Sequence, residues 1–239
     1  MDGIINLNKP AGMSSFKAMS IVKRRLGMRK VGFLGTLDPL ASGVLVLLCG
    51  RYTKWADYLH GRAPHPDPTG TKYGKTVCKR VSDAKVYRSV FAFGTETTTL
   101  DLEGEVVATS DVIPTKEQIE GVLLEMVGEV EIEVPKFSAV HINGKRAYDL
   151  ARKGVDFTPP KRIVKIDRFE LLEQRSTNEF FFEIECQTGT YIRSLAKLMA
   201  QKLGTVAIAS VIIRTRVGDF TIEDAKGLDD IEIGDIVQI

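Results

Sequence analysis

Gly35-Thr36-Leu37-Asp38-Pro39-Leu40-Ala41-Ser42-Gly43 runs directly into Val44-Leu45-Val46-Leu47-Leu48. The second stretch has the length and the β-branched or aliphatic content of a buried strand. The first is a short loop between two glycines, which let the backbone turn tightly and let a ligand come close. Pro39 fixes its own φ and biases Asp38 towards extended backbone. A carboxylate held at the mouth of a buried strand suits a nucleophile or a general base. It equally suits a turn in which the aspartate bonds its own backbone. The loop does not choose between them, so the rest of the chain must.

Outward from that strand, the hydrophobic pattern predicts a mixed array of elements. Ser14 or Ser15 caps a helix to about Leu26, with Met19, Val22 and Leu26 on one face and Gly27 as the stop. Thr115 with Gln118 three residues on reads as a capping box, opening a helix that ends at Gly128. Thr190 is expected to cap a helix ending at Gly204, and Thr221 with Asp224 to start a short final one. Strands are expected at 44–48, 86–93, 129–134, 163–171 and 180–186, with Phe182, Ile184 and Cys186 sharing a face. Strands and helices alternate without a βαβ rhythm. The expected fold class is therefore α+β, a mixed and mostly antiparallel sheet flanked by helices.

Composition narrows the class. The 239 residues are 44% hydrophobic and 27% charged, an ordinary globular balance. No apolar run approaches the roughly 20 residues that cross a bilayer. The chain goes from Met1-Asp2 straight into its first motif, so no signal peptide is expected. Cys49, Cys78 and Cys186 are odd in number and scattered, which argues against a disulfide framework or a zinc site and suits a reducing cytosol. His60, His65 and His141 form no ligand pattern. The net charge of +2 hides strong segregation. Residues 1–40 carry seven basic side chains against two acidic, 96–133 eleven acidic against one basic, and 136–168 nine basic against three acidic. Basic segments folded onto one face suit a phosphate backbone, although charge blocks also arise as solvated faces.

Five further stretches decide the matter. They are Gly3 to Ser15 (GIINLNKPAGMSS), Lys85-Val86-Tyr87 with Gly94 to Gly104 (GTETTTLDLEG), and Pro135 to Gly154 (PKFSAVHINGKRAYDLARKG). Gly189-Thr190-Tyr191-Ile192-Arg193 and Arg214-Thr215-Arg216-Val217-Gly218 follow. Together with the Asp38 loop, and in this order, they resemble the tRNA pseudouridine synthase B (TruB) family from about residue 3 to about residue 228. The resemblance implies the pseudouridine synthase catalytic fold. It also implies isomerisation of uridine to pseudouridine at position 55 in the T-loop of tRNA, with no cofactor and no metal. Asp38 is implied as the nucleophile, at C6 of the base or C1′ of the sugar. Arg193 is implied as the arginine paired with it, and Tyr87 as the aromatic that stacks on the target base and handles the C5 proton. Taken alone, Arg193 would read as a surface helix residue and Tyr87 as a core strand aromatic. An adjacent guanidinium would favour the ionised carboxylate. Tyr191 adjoins the arginine, and Ile212 stands where the family has a leucine lining the pocket. Lys9, in the opening motif, is assigned to structure or to the RNA backbone.

The target uridine lies in a folded RNA loop, so the enzyme has to flip it out. Such RNA is read by shape, unstacked bases and backbone. Residues 135–160, with Lys145, Arg146 and Arg152, resemble the family's insertion that clamps the tRNA T-arm. Residues 61–84 hold three prolines within five residues and five basic side chains, and look like an added insertion whose charge is expected to add an RNA contact. Phe33 replaces the family's usual histidine before the catalytic loop, and stacking by its ring is expected to serve instead. The domain expectation is a catalytic domain over 1–228 and a short stub over 229–239, with no PUA domain. The chain is expected to be a cytoplasmic monomer with tRNA as partner, no membrane and no obligate protein partner. Two other readings are a tRNA-folding chaperone with incidental or lost modification, and a synthase acting on ribosomal RNA with guide RNAs.

Overall fold

The computed structural model describes residues 1–59, 81 and 84–238, so most of the 61–84 insertion lies outside the described residues. In chain order the strands and helices are β1 Gly3–Lys9, α1 Ser15–Arg25, β2 Val31–Leu34, β3 Ser42–Cys49, α2 Ala56–Leu59, β4 Lys85–Phe93, β5 Thr95–Thr97 and β6 Val106–Thr109. They continue as α3 Lys116–Leu123, β7 Gly128–Glu133, β8 His141–Ile142, β9 Lys145–Arg146, α4 Ala147–Arg152, β10 Lys161–Gln174, β11 Glu179–Cys186, α5 Ile192–Lys202, β12 Ala207–Val217 and β13 Phe220–Thr221. The chain forms two compact units, Met1–Tyr87 with Ile213–Ile239, and Arg88–Ile212. Strands β4 and β12 each contribute residues to both. No helix among the described residues is long and apolar enough to cross a membrane.

In the first unit β3 is the central strand, and every residue after Ser42 is buried. β1 pairs with it antiparallel from Gly3↔Cys49 to Lys9↔Gly43. On its other edge β2 pairs antiparallel, Val31↔Cys49 to Leu34↔Val46, while β12 pairs parallel at Ile213↔Ser42 and Arg214↔Gly43. A strand with neighbours on both edges and cover on both faces reads as a continuous apolar run, the signature of 44–48. Its side chains Val44, Val46 and Leu48 pack with Ile4, Leu34, Tyr52, Trp55 and Leu59. α1 covers the unit with Ala18, Met19 and Val22. Ser14 caps it by accepting from the Lys17 N–H, and basic residues fill its last turn, where they oppose the helix dipole favourably. Residues 229–238 belong to this unit. Val237 exchanges backbone hydrogen bonds with Ile4 at 2.8 and 2.9 Å, and Arg25 Nε donates to the Ile231 carbonyl at 2.9 Å.

In the second unit the strand order is β12-β4-β11-β10-β7, with β10 antiparallel to both neighbours. Phe180, Phe182, Ile184 and Cys186 of β11 alternate onto one face, fully buried. Phe182 meets Phe91 and Phe169 with ring centroids 4.8 and 5.5 Å apart. α3 starts on a complete Thr115–Gln118 capping box, and α5 packs Leu195, Ala196 and Met199 inward.

Two local expectations fail for physical reasons, and one strand went unread. Thr190 does not cap α5: its hydroxyl donates to the Gln187 carbonyl at 2.9 Å, and Tyr191 occupies the cap position without a side-chain bond. Thr221 does bond Asp224 at 2.8 Å, but no helix follows, because residues 220–221 are claimed by pairing with β12. β12 itself escaped the sequence reading. Its run from Ala207 to Ile213 is apolar except for Ser210 and so shows no polar–apolar alternation to read, although burial alternates from Ser210 to Arg214.

Candidate active site

The Asp38 loop is pinned from three sides within the first unit. Ser15, the first residue of α1, uses its one hydroxyl twice, donating to the Leu37 carbonyl and accepting from the Leu37 N–H, both at 2.8 Å. Lys9 is fully buried at the end of β1. Its ammonium donates to the carbonyls of Pro10 at 2.8 Å, Met13 at 2.7 Å and Pro39 at 3.4 Å. The Gly12 N–H reaches the Pro39 carbonyl at 2.9 Å. Of the two assignments given to Lys9, structure or RNA backbone, full burial supports the first: with no exposed surface it holds the loop.

Arg214 is the third anchor. It is 1% exposed, and its fork spans the two ends of the loop, Nε to the Val44 carbonyl at 2.8 Å and Nη2 to the Gly35 carbonyl at 2.9 Å. Gly43 pairs with Arg214 at φ +101°, and a Cβ there would collide with the Arg214 carbonyl oxygen. Glycine is needed at 43 for both reasons. Asp38 itself is half-buried, and its carbonyl accepts from Ala41 N–H at 3.1 Å. Tyr87, on β4, is 7% exposed, and Phe33, on β2 opposite Leu47, is half-buried.

The remaining named residues lie in the second unit. Arg193, the second residue of α5, is 3% exposed and not a surface arginine. It donates to the carbonyls of Thr99 at 2.6 Å and Phe137 at 3.1 Å, and Nε lies 3.7 Å from the Asp101 carboxylate. Asp101 is equally buried and also accepts from the Glu103 N–H at 3.0 Å. Leu100, with φ +62°, turns the chain so that this carboxylate points inward. Tyr191 is half-buried and Ile212 is buried on β12. Lys145, Arg146 and Arg152 are exposed on a hairpin, β8 with β9, and on α4. Asn143 and Gly144 both take positive φ, as a two-residue hairpin turn of this kind requires. Arg146 and Arg152 lie over the Tyr148 ring at 6.0 and 5.6 Å.

The sequence reading missed Ser15, Arg214 and Asp101 as site-building residues. All three sit inside quoted motifs, but with β12 unread nothing marked Arg214 as a buried strand residue. Outside the site, burial pushes the Cys49 thiol up to about 11, which marks it as an inert core residue.

A short, rigidly anchored aspartate loop and a buried, ion-paired arginine define a class, the pseudouridine synthases, once the comparisons are added. The model of the TruB family pseudouridylate synthase N-terminal domain matches residues 23–64 and 69–192. The chain is 39% identical to a tRNA pseudouridine synthase B of Caulobacter sp. (strain K31), over 97% of this chain and 68% of that protein. It is 37% identical to the enzyme of that name from Geobacillus kaustophilus (strain HTA426), over 97% and 76%. A solved Cbf5-Nop10-Gar1 complex contains a similar chain, with TM-score 0.66, 27% identity and 95% of this chain covered. An archaeal box H/ACA sRNP Nop10-Cbf5 complex gives 0.62 and 25% over the same share. The chain spans about half the length of those solved chains, 52% and 51%. It belongs to the TruB family of pseudouridylate synthases.

Proposed function

We propose that this chain isomerises uridine to pseudouridine at position 55 in the T-loop of tRNA, acting alone as a cytoplasmic monomer. The reaction breaks the N1–C1′ bond, turns the base and rejoins it through C5. The C5 proton is lost and N1 gains one, so composition is unchanged and no cofactor is required. Asp38 serves as the nucleophile, at C6 or at C1′. Tyr87 stacks on the flipped base and takes part in the proton transfer, for which it has a π-face and a hydroxyl. Arg193 supplies a fixed positive charge, oriented by Asp101. Tyr191, Ile212 and Phe33 are assigned to contacts with the target base. Lys145, Arg146 and Arg152 grip the T-arm phosphates from the hairpin and α4.

The observation that carries this reading is the anchoring of the Asp38 loop by Lys9, Ser15 and Arg214. Three separate elements hold one short loop, and such preorganisation is what a catalytic carboxylate needs and a surface turn does not. The buried free thiols Cys49 and Cys186 suit a reducing compartment. The isomerisation leaves the mass unchanged, so the test is carbodiimide tagging of pseudouridine followed by mass-spectrometric mapping of unmodified tRNA after incubation with wild type and Asp38→Asn, without metal or cofactor. Conversion of the one T-loop uridine by wild type alone supports the site and the nucleophile. Conversion by both removes Asp38 from the role. Tight binding without conversion by wild type would move the reading to an RNA-folding chaperone.

A further inference from the structure

At the end of β3 away from the Asp38 loop, the first unit carries a cavity of about 590 Å3 that the proposed chemistry leaves unused. Arg29, Lys30, Arg51 and Lys54 give it a basic rim, and Asp2, Leu26, Ile233 and Ile236 also line it. The Gly50 N–H donates to the Lys30 carbonyl at 2.9 Å, which brings the two basic stretches together. Arg51 is engaged by Asp2 at 2.6 Å. Arg29, Lys30 and Lys54 are exposed and make no ion pair recorded among the described residues. The last turn of α1 adds Lys23 and Arg24 nearby in the chain.

Like charges gathered on the rim of one concavity raise the local potential and attract anions. The chemistry favours a polymer over a small anion. A single phosphate is chelated by fixed, inward-pointing donors, whereas these heads are solvated, separated and carried on long flexible stems. That arrangement matches successive phosphates on a chain. The eight residues of β3 set the distance to the loop at roughly 25 Å, at about 3.3 Å per residue. This is of the order of one turn of a nucleic-acid duplex, about 34 Å in B-form DNA, a span within the length of one RNA arm.

We propose that this basic rim is a second RNA contact, holding the sugar-phosphate backbone of the substrate about 25 Å from Asp38. The proposal rests on the reading that the substrate is a folded RNA. The experiment is titration of unmodified tRNA, from roughly 0.05 to 0.3 M KCl, with wild type, Arg29→Gln/Lys30→Gln/Lys54→Gln, and a control. The control Lys116→Gln/Lys161→Gln/Lys202→Gln removes the same charge from exposed lysines that face Glu120, Glu131 and Glu125. The rim variant should weaken binding at least about tenfold at 0.1 M salt and lower the log–log salt slope by about 2 to 3. The control should do neither. A rim variant indistinguishable from the control overturns the proposal, while a wild type that still binds and converts tRNA leaves the functional reading standing. A wild type that neither binds nor converts tRNA overturns both.

Discussion

Arg193 and Asp101 form an ion pair with almost no solvent access. Removing one partner of a buried pair upsets the charge balance around the other, which costs more than the pair contributes. Asp101→Asn keeps the shape and deletes the charge. It should lower stability by about 3 kcal/mol, read by urea denaturation, and an unchanged midpoint would show that the carbonyls of Thr99 and Phe137 hold the guanidinium without it. Arg214 presents a different case. Arg214→Lys keeps the charge but loses the planar fork, so the two carbonyls at Gly35 and Val44 cannot both be served. A loss of about 2 kcal/mol is expected, with a slower conversion of tRNA at saturating enzyme. Full retention of both stability and rate would show that the staple is dispensable.

Two elements owe their form to features visible at their ends or edges. α3 is only eight residues long, too short to persist on propensity, and its complete capping box satisfies two backbone donors at once. Thr115→Ala should destabilise by about 1 kcal/mol, measured as a shift of the denaturation midpoint. Across β4, β11 and β10, Glu183 accepts from Arg88 at 2.9 Å and from Arg168 at 2.5 Å. Burial would raise its carboxyl, but these hydrogen bonds and the charges behind them outweigh that and hold it below the usual range. Its folded value is therefore lower than its unfolded value near 4.3. The stabilisation is complete above that unfolded value and is lost as pH falls through the folded one. Glu183→Gln should cost about 1 kcal/mol at pH 7 and progressively less below about pH 4. A constant gap between wild type and variant across that window would rule out the linkage.

Charge is segregated across the whole molecule although the net is only +2. Binding of tRNA should follow the basic surfaces and not the sum. Affinity is expected to fall tenfold or more between about 50 and 200 mM salt, measured by titration at fixed pH. A flat salt response would place recognition in base contacts and not in phosphates. The two compact units divide the named residues: the aspartate loop and Tyr87 fall in the first, the arginine and the basic hairpin in the second.

The sequence by itself determined β3, a cap at Ser14 or Ser15, the capping box at Thr115, and the alternation of β11, because caps and periodicity are local signals; the structure chose Ser14. It also placed the family, because motifs in fixed order survive as text. It did not reveal β12, whose nearly unbroken apolar run carries no alternation, or the failure of Thr190 as a cap, since its hydroxyl found Gln187 first. Lys9 reads as a surface cation in any one-dimensional view. Only the tertiary structure buries it and aims its ammonium at three carbonyls, because those acceptors come from residues 10, 13 and 39 and meet only when β1 lies on β3. Arg214 is the same lesson at longer range. Its partners are more than 160 residues away in the chain, and hydrogen bonds of that separation have no signature in sequence.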